Sequence, residues 1–326
     1  MREIGTAGQR GAGMKDYMAP MEGITNYIYR NAYHQFYHPM DKYFTPFISA
    51  KPNKRLSFKE INEVSPETNQ GLRVVPQILT NCAEDFMQTA RILNEEYGHR
   101  EVNLNLGCPS GTVTAKGKGA GFLGEPEKLE VFLDKIFAGL DMEISVKTRI
   151  GTDYEDDWPR LLKIYEKYPM KELIIHPRIQ KDYYKNKPRL SAFREAQERL
   201  KVPLCYNGDL FTPRDYEEFT AEFPRTETFM YGRGLIADPG LVTAIRTGSA
   251  PGKKVLRAFH DKIYGDYQEL LSGERNVLFR MKELWNYMAP TFTHYEKYAK
   301  KIKKTQHLRE YESAVDCLFQ EQELMV

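Results

Sequence analysis

Apolar and polar residues alternate most cleanly at Val102-Asn103-Leu104-Asn105-Leu106, and the run stops at Gly107-Cys108-Pro109-Ser110. Alternation with period two describes a strand, and the Gly-Cys-Pro turn leaves one thiol on its exit loop. A glycine-rich segment, Lys116–Gly121, follows and reads as a mobile flap. Similar short runs recur at Asp16–Ala19, Lys42–Phe47, Val74–Leu79, Glu101–Leu106, Glu143–Thr148, Glu172–His176, Pro203–Tyr206 and Thr228–Tyr231. Between them the spacing predicts helices over Ala83–Tyr97, Glu127–Leu140, Trp158–Tyr168, Ser191–Leu200 and Pro213–Phe223. Asn81 with Glu84 has the capping-box spacing, and Thr212-Pro213 puts proline in a first helical turn. Eight strands in alternation with helices predict an α/β fold, a (β/α)8 TIM barrel over residues 15–248.

The polar residues of chemical interest collect at the C-terminal ends of these strands. In chain order they are Pro20-Met21, Ser49, Gln77, Asn105 with Cys108, Lys147, His176 with Arg178, Asn207-Gly208-Asp209 and Gly232-Arg233-Gly234. In a barrel of this kind that end is the catalytic face.

A small-residue linker, Gly248-Ser249-Ala250-Pro251-Gly252, ends the barrel pattern. Helices are predicted beyond it at Val255–Leu271, Arg275–Met288, Thr293–Lys304 and Leu308–Gln322, giving a small C-terminal helical domain over 253–326. Lys253 to Arg309 holds 13 Lys/Arg against 6 Asp/Glu, whereas Glu310 to Val326 holds five acids and neither Lys nor Arg. One face of that domain is therefore expected to be basic. Lys297, Lys300, Lys301 and Lys304 fall at helical spacing on one side, with Tyr295, Tyr298, Ala299 and Ile302 on the other. Such a stripe is either a solvated face or a seat for a phosphate backbone, and the nearby Trp285, Tyr287 and Phe292 favour the second.

Composition narrows the classes. The chain has 326 residues, 28% of them charged, with a net charge of +2 and a mean hydropathy of −0.59. No apolar run is long enough to cross a bilayer. Cys82, Cys108, Cys205 and Cys317 are widely spaced, without a C-x-x-C pair, which excludes a zinc-ribbon pattern and a disulfide framework and fits a cytoplasmic protein without a metal. Residues 1–14 read as a disordered extension.

The glycines after strands seven and eight suit a phosphate approached by backbone N–H groups, with Arg233 adding a charged contact. Tight turns alone would also explain them. Lys147 is expected to point into the barrel mouth, where it either meets an anionic ligand or forms an internal salt bridge with Asp209. Cys205 reads as a buried small hydrophobe. Cys108, on an exit loop, is instead placed to donate a proton or attack as thiolate.

Taken together, Ala19-Pro20-Met21-Glu22-Gly23-Ile24-Thr25-Asn26, Pro76-Gln77, Asn105-Leu106-Gly107-Cys108-Pro109, Val146-Lys147-Thr148-Arg149, His176-Pro177-Arg178, Asn207-Gly208-Asp209 and Gly232-Arg233-Gly234 resemble the tRNA-dihydrouridine synthase family. The resemblance runs from about Met18 to the chain end. It implies FMN on the barrel mouth, NADPH as reductant and tRNA as substrate, in a monomer. By motif, Pro20 and Met21 would pack near the isoalloxazine, and Gln77 and Lys147 would meet its polar edge. His176, Asn207, Gly208, Asp209, Gly232 and Arg233 would contact the rest of the cofactor. Cys108 matches the family's catalytic acid, Asn105 would hold flavin or uracil, and Arg178 would contact RNA or substrate. Where many relatives have His-Gly-Arg, this chain has His176-Pro177-Arg178, which removes an N–H from that turn. A free-pyrimidine reductase resembling dihydroorotate dehydrogenases, and a catalytically silent RNA-binding barrel, are the alternative expectations.

Overall fold

Ten short strand segments pair in parallel within one sheet in the computed structural model, which describes residues 13–52 and 55–325. The expected N-terminal extension lies, up to residue 12, outside the described residues. The ten segments make eight strands, because two strands are interrupted by prolines that cannot donate to a ladder. They are β1 (Lys15–Met18), β2 (Lys42–Phe44 and Ile48–Ser49, broken at Pro46), β3 (Val74–Val75 and Gln77–Leu79, broken at Pro76) and β4 (Glu101–Leu106). After them come β5 (Glu143–Thr148), β6 (Glu172–Ile175), β7 (Leu204–Tyr206) and β8 (Thr228–Tyr231). Both halves of β2 pair with β3, through Tyr43↔Val74 and Ile48↔Ile78. At the break, the Thr45 hydroxyl accepts the Gln77 N–H at 3.1 Å. Because β1 pairs with β2 on one side and with β8 on the other, the sheet closes into the expected barrel.

Closure turns strand alternation into tiers inside the barrel. The lowest tier is ionic: Lys42 meets Glu101 at 2.8 Å and Glu172 at 3.9 Å, and the Tyr17 hydroxyl donates to Glu172 at 3.0 Å. Above it Tyr17, Phe44, Val75, Ile174, Cys205 and Met230 form an enclosed apolar cluster. Cys205 is fully buried there, as expected. Two residues further along each strand lies the upper tier, which includes Gln77, Asn105, Lys147, His176, Asn207 and Gly232. The outward faces, with Leu104, Leu106, Val146, Leu173 and Ile175, pack beneath the surrounding helices.

Among the barrel helices not anticipated from the sequence are Tyr27–Phe36 and Phe58–Val64, capped by Asn26 and by a Ser57–Glu60 box. Their pattern is obscured by a buried ion pair, Arg30 with Glu63 at 2.8 Å, which puts charges where apolar residues normally mark a helix face. Pro213 stands in the first turn of the helix Pro213–Glu222 as expected, and Thr212 with Asp215 forms a capping box there. The Asn81 box is not: Cys82 precedes the helix Ala83–Glu95 without a side-chain cap, and the Asn81 amide instead donates to the carbonyls of Lys116 (3.0 Å) and Gly117 (3.2 Å).

At the linker, Gly248 ends the helix Leu241–Thr247 in a left-handed conformation, φ +77°. Helices follow at Lys253–Leu270, Glu274–Met288, Glu296–Lys304 and Leu308–Glu321. The third starts at Glu296 rather than Thr293 because Phe292 bridges to Leu324 and His294 takes a positive φ of 44°, which a helix does not continue through. The helices join the barrel's apolar core, with Phe259 packed edge-on against Tyr29 and Tyr37. Asn26 donates to the Tyr267 hydroxyl at 2.8 Å and Arg280 to the Gly23 carbonyl at 3.2 Å, so the helices lean on the loop that follows β1.

Burial raises the Glu172 carboxyl to about 7, ahead of the opposing pull of Lys42. A carboxyl that takes its proton more readily when folded adds stability at low pH and loses it as pH rises from 4.5 through 7. Glu172→Gln is therefore expected to flatten the fall in unfolding free energy between those pH values, by up to about 3 kcal/mol. Urea unfolding at pH 5 and pH 8 measures it; an unchanged pH slope would contradict the assignment.

Candidate active site

The turn after β4 is held from below. Asn105 Oδ1 accepts the backbone N–H of Gly107 at 3.0 Å and of Cys108 at 2.9 Å. From above, the Ala120 N–H donates to the Cys108 carbonyl at 3.0 Å. Gly119, at φ +57°, approaches so closely that a Cβ would lie 2.8 Å from that carbonyl oxygen. The glycine-rich segment is packed rather than a free flap: it runs into a 3-10 helix, Gly119–Gly124, in which Gly119 is required by contact with the thiol's own turn and Gly121 by contact with Thr114. Cys108 stays partly accessible at the mouth. Burial raises its thiol above the ordinary value, against a hydrogen bond from Ser110 and the charges of Arg149 and Lys147.

Lys147 pairs in register with Asn105 across β4 and β5. Its ammonium has no hydrogen-bond or ion-pair partner among the described residues. Burial first, then Arg149, lowers it to about 8, so it remains mostly charged at neutral pH. The expected alternative, an ion pair with Asp209, does not form, because Asp209 is held by Arg178 and by Arg233.

Arg178 is corrected by the structure. Expected to reach RNA or substrate, it is 1% exposed. Its guanidinium donates to the Asn186 carbonyl at 2.6 Å, to His176 Nε2 at 2.9 Å and to both oxygens of Asp209. A guanidinium only donates, so His176 Nε2 accepts and the ring is neutral, its proton on Nδ1. Burial and the surrounding Arg149, Lys147, Arg178 and Arg233 push its pKa well below the ordinary value. Asp209, expected beside a ligand phosphate, pairs with both Arg178 and Arg233.

Gln77 is also corrected. Its side chain is fully enclosed, donating to Asn103 at 2.7 Å and accepting from Asn105 at 2.6 Å, so it lies under the mouth floor. Asn207 donates to the Met230 carbonyl at 2.8 Å and ties β7 to β8. Gly208 is small for packing reasons, since a Cβ would collide with the Tyr206 hydroxyl at 1.9 Å. Gly232 differs: a Cβ would meet only Ala19 at 3.5 Å and Met21 Sδ at 3.7 Å, ordinary contacts, so its absence leaves the floor open. Pro20 and Met21 border that opening, with the Met21 N–H on Thr25 Oγ1 at 2.7 Å.

Three residues at the mouth escaped the sequence reading. Arg149 donates to the carbonyls of Gly107, Ile179 and Tyr183, each at 2.9 Å, and so ties the Cys108 turn to the loop after β6. Tyr184 and Phe211 flank Arg233, whose guanidinium carbon lies 4.2 Å and 5.4 Å from their ring centroids. Arg149 was legible as the same-face successor of Lys147; the aromatic residues sit in polar loops without a periodic signal.

The basic stripe lies elsewhere, on helix Glu296–Lys304. Its four lysines are exposed, while Tyr298 and Ile302 are buried as expected. Lys297 pairs with Glu321 at 3.4 Å and lies over the Tyr298 ring; Lys300, Lys301 and Lys304 have no partner among the described residues. No helix among those residues is long and apolar enough to cross a membrane, and no group of three or more His, Cys, Asp or Glu side chains is placed to hold a metal.

The mouth therefore carries a partly accessible thiol, beside it an ammonium without a hydrogen-bond or ion-pair partner among the described residues, and free space above Gly232. Among solved structures, morphinone reductase in complex with tetrahydroNAD superposes with a TM-score of 0.51 at 12% identity, over 72% of this chain and 87% of that one. A variant of NCR from Zymomonas mobilis does so at 0.52 and 14%, over 75% and 90%. The barrel fold is what these likenesses share. In sequence, tRNA-dihydrouridine synthase B of Pasteurella multocida is 25% identical over 226 residues, 69% of this chain and 67% of that protein. The tRNA-dihydrouridine(16) synthase of Shewanella oneidensis is 30% identical over 251 residues, 73% of this chain and 77% of that protein. Residues 17–325 match the family described as dihydrouridine synthase (Dus), and with its thiol turn and cationic mouth the chain belongs to that family.

Proposed function

We propose that this protein reduces particular uridines of tRNA to 5,6-dihydrouridine, with FMN held at the barrel mouth and NADPH as the reductant. The observation that carries the reading is the pairing of a protonated thiol with an unpartnered ammonium on neighbouring strands of one open mouth. Family membership and the activities for which the relatives are named support the substrate class, and the tetrahydroNAD complex of a fold neighbour supports a nicotinamide donor. A tRNA substrate also favours a cytoplasmic site of action.

The residues fit the cofactor. Lys147 offers a fixed positive charge to an anionic ring edge, and Arg233, braced by Asp209, offers one to a phosphate. Pro20 and Met21 border the Gly232 opening and supply an apolar rim, while His176 and Asn207 hold the wall between the two cations. When bound, FMN would supply the hydride that uracil C6 receives, having drawn it from NADPH. Cys108 Sγ–H gives its proton to C5, so that the C5=C6 bond becomes single and the sulfur is left as thiolate until solvent reprotonates it. Asn105 fixes the turn that aims this thiol. The target base must leave the RNA stack to reach it, while Lys300, Lys301 and Lys304, with Lys297, hold the backbone.

Cys108→Ala is expected to keep bound flavin and NADPH-driven bleaching at the wild-type rate, and to lose tRNA reduction by about 10²-fold or more. Because a proton donor works only while protonated and burial raises this thiol, the wild-type rate should hold from pH 7 to 8.5. It should fall only above the ordinary thiol value of 9.0. Wild-type turnover by the variant, or a fall centred near pH 7, would remove Cys108 from the reaction. A variant with all four stripe lysines changed to alanine should bind tRNA more weakly and with a shallower dependence on salt, by roughly one unit of log–log slope for each phosphate no longer neutralised. Equal affinity across a salt series would leave the stripe as a solvated face.

A further inference from the structure

The middle tier of the barrel is apolar on six of its strands, as barrel interiors ordinarily are, but β4 and β5 contribute Asn103 and Ser145 there. Both are fully buried. A buried amide is unfavourable unless hydrogen-bonded, and replacing both members of a buried polar pair by apolar groups of similar shape is often neutral. Packing alone therefore gives no reason for this pair. Its bonds do. Asn103 Nδ2 donates to Ser145 Oγ at 3.0 Å, Gln77 Nε2 donates to Asn103 Oδ1 at 2.7 Å, and Asn105 Nδ2 donates to Gln77 Oε1 at 2.6 Å. Asn105 donates to Gln77 within the upper tier, Gln77 donates down to Asn103, and Asn103 donates across to Ser145, so the orientations of the three amides are coupled. At the top this turns Asn105 Oδ1 toward the N–H groups of Gly107 and Cys108.

We propose that Asn103, seated on Ser145, is a positioning residue for Cys108, acting through Gln77 and Asn105 to hold the thiol's turn. The consequence for tRNA reduction rests on the function proposed above. With Asn103 replaced by leucine, Gln77 Nε2 loses its acceptor, and the Asn105 amide can rotate and present Nδ2 to two N–H groups that need an acceptor. The turn then loosens although no residue at the mouth has changed. Asn103→Asp, protonated in this enclosed site, has both a carbonyl to accept from Gln77 and an O–H to donate to Ser145, and so keeps the ladder.

The test is site-resolved alkylation of the purified protein by iodoacetamide, followed by mass spectrometry, alongside NADPH-driven flavin reduction and dihydrouridine formation. In Asn103→Leu, Cys108 should be alkylated several-fold faster while Cys205, enclosed in the apolar tier, stays protected. Dihydrouridine formation should fall roughly tenfold to a hundredfold in kcat, the size expected of a displacement near 1 Å, with KM for tRNA and the rate of flavin reduction unchanged. Asn103→Asp should restore both Cys108 readouts. If Asn103→Leu does not fold, the smaller Asn103→Ala removes the same acceptor from Gln77 and gives the same readouts. Alkylation of Cys108 at the wild-type rate overturns the proposal, as does a parallel rise at Cys205, which would mean general loosening. If wild-type protein makes no dihydrouridine while Cys108 still responds to Asn103, the ladder stands and the tRNA reading fails.

Discussion

Closing eight strands into a barrel forces every second residue of each strand into an interior without room for bulk water, and each polar group there must find a partner. The tiers show how this chain meets the constraint. Lys42 answers two carboxylates at the bottom, a mostly apolar band fills the middle, and a polar tier lies beneath the mouth. In the upper tier Lys147 is left without a hydrogen-bond or ion-pair partner among the described residues, and Gly232 has no side chain. Those two omissions sit beside the thiol of Cys108, and they give the mouth its capacity to bind and react.

The electrostatics follow from the same arrangement. Lys147, Arg149, Arg178 and Arg233 surround His176, while Asp209 is the carboxylate bonded to two of them. Such a field favours an anionic ligand, and it keeps His176 neutral, which suits a residue that packs and accepts better than one that carries charge. It opposes, without overcoming, the burial that keeps Cys108 protonated. Burial thus acts on both groups: with Arg149 it makes the Lys147 ammonium readier to lose its proton, and it makes the Cys108 thiol retain the proton it is proposed to give.

Much of this was legible from spacing. Strands β4 and β5 fall where alternation puts them, because Glu101, Asn103 and Asn105, and Glu143, Ser145 and Lys147, recur at period two. The same period predicts that Lys147, His176 and Asn207 share a tier. Prolines 46 and 76 hid the breaks in β2 and β3. Asn81 looked like a helix cap because capping depends on local sequence, whereas its amide is claimed by the distant carbonyls of Lys116 and Gly117. The segment around Gly119 looked flexible because glycine permits both mobility and close contact, and only the 2.8 Å approach to the Cys108 carbonyl separates the two. Arg178 looked free because sequence does not reveal that Asp209, thirty-one positions away, folds back onto it.

The account stands most directly on one spectrum. Purified protein should show flavin absorption that bleaches on anaerobic addition of NADPH, and unmodified tRNA should restore the colour with an equal amount of dihydrouridine formed. A protein that stays colourless after incubation with FMN, or reduced flavin that tRNA leaves bleached, would contradict the reading of the mouth as the site of uridine reduction.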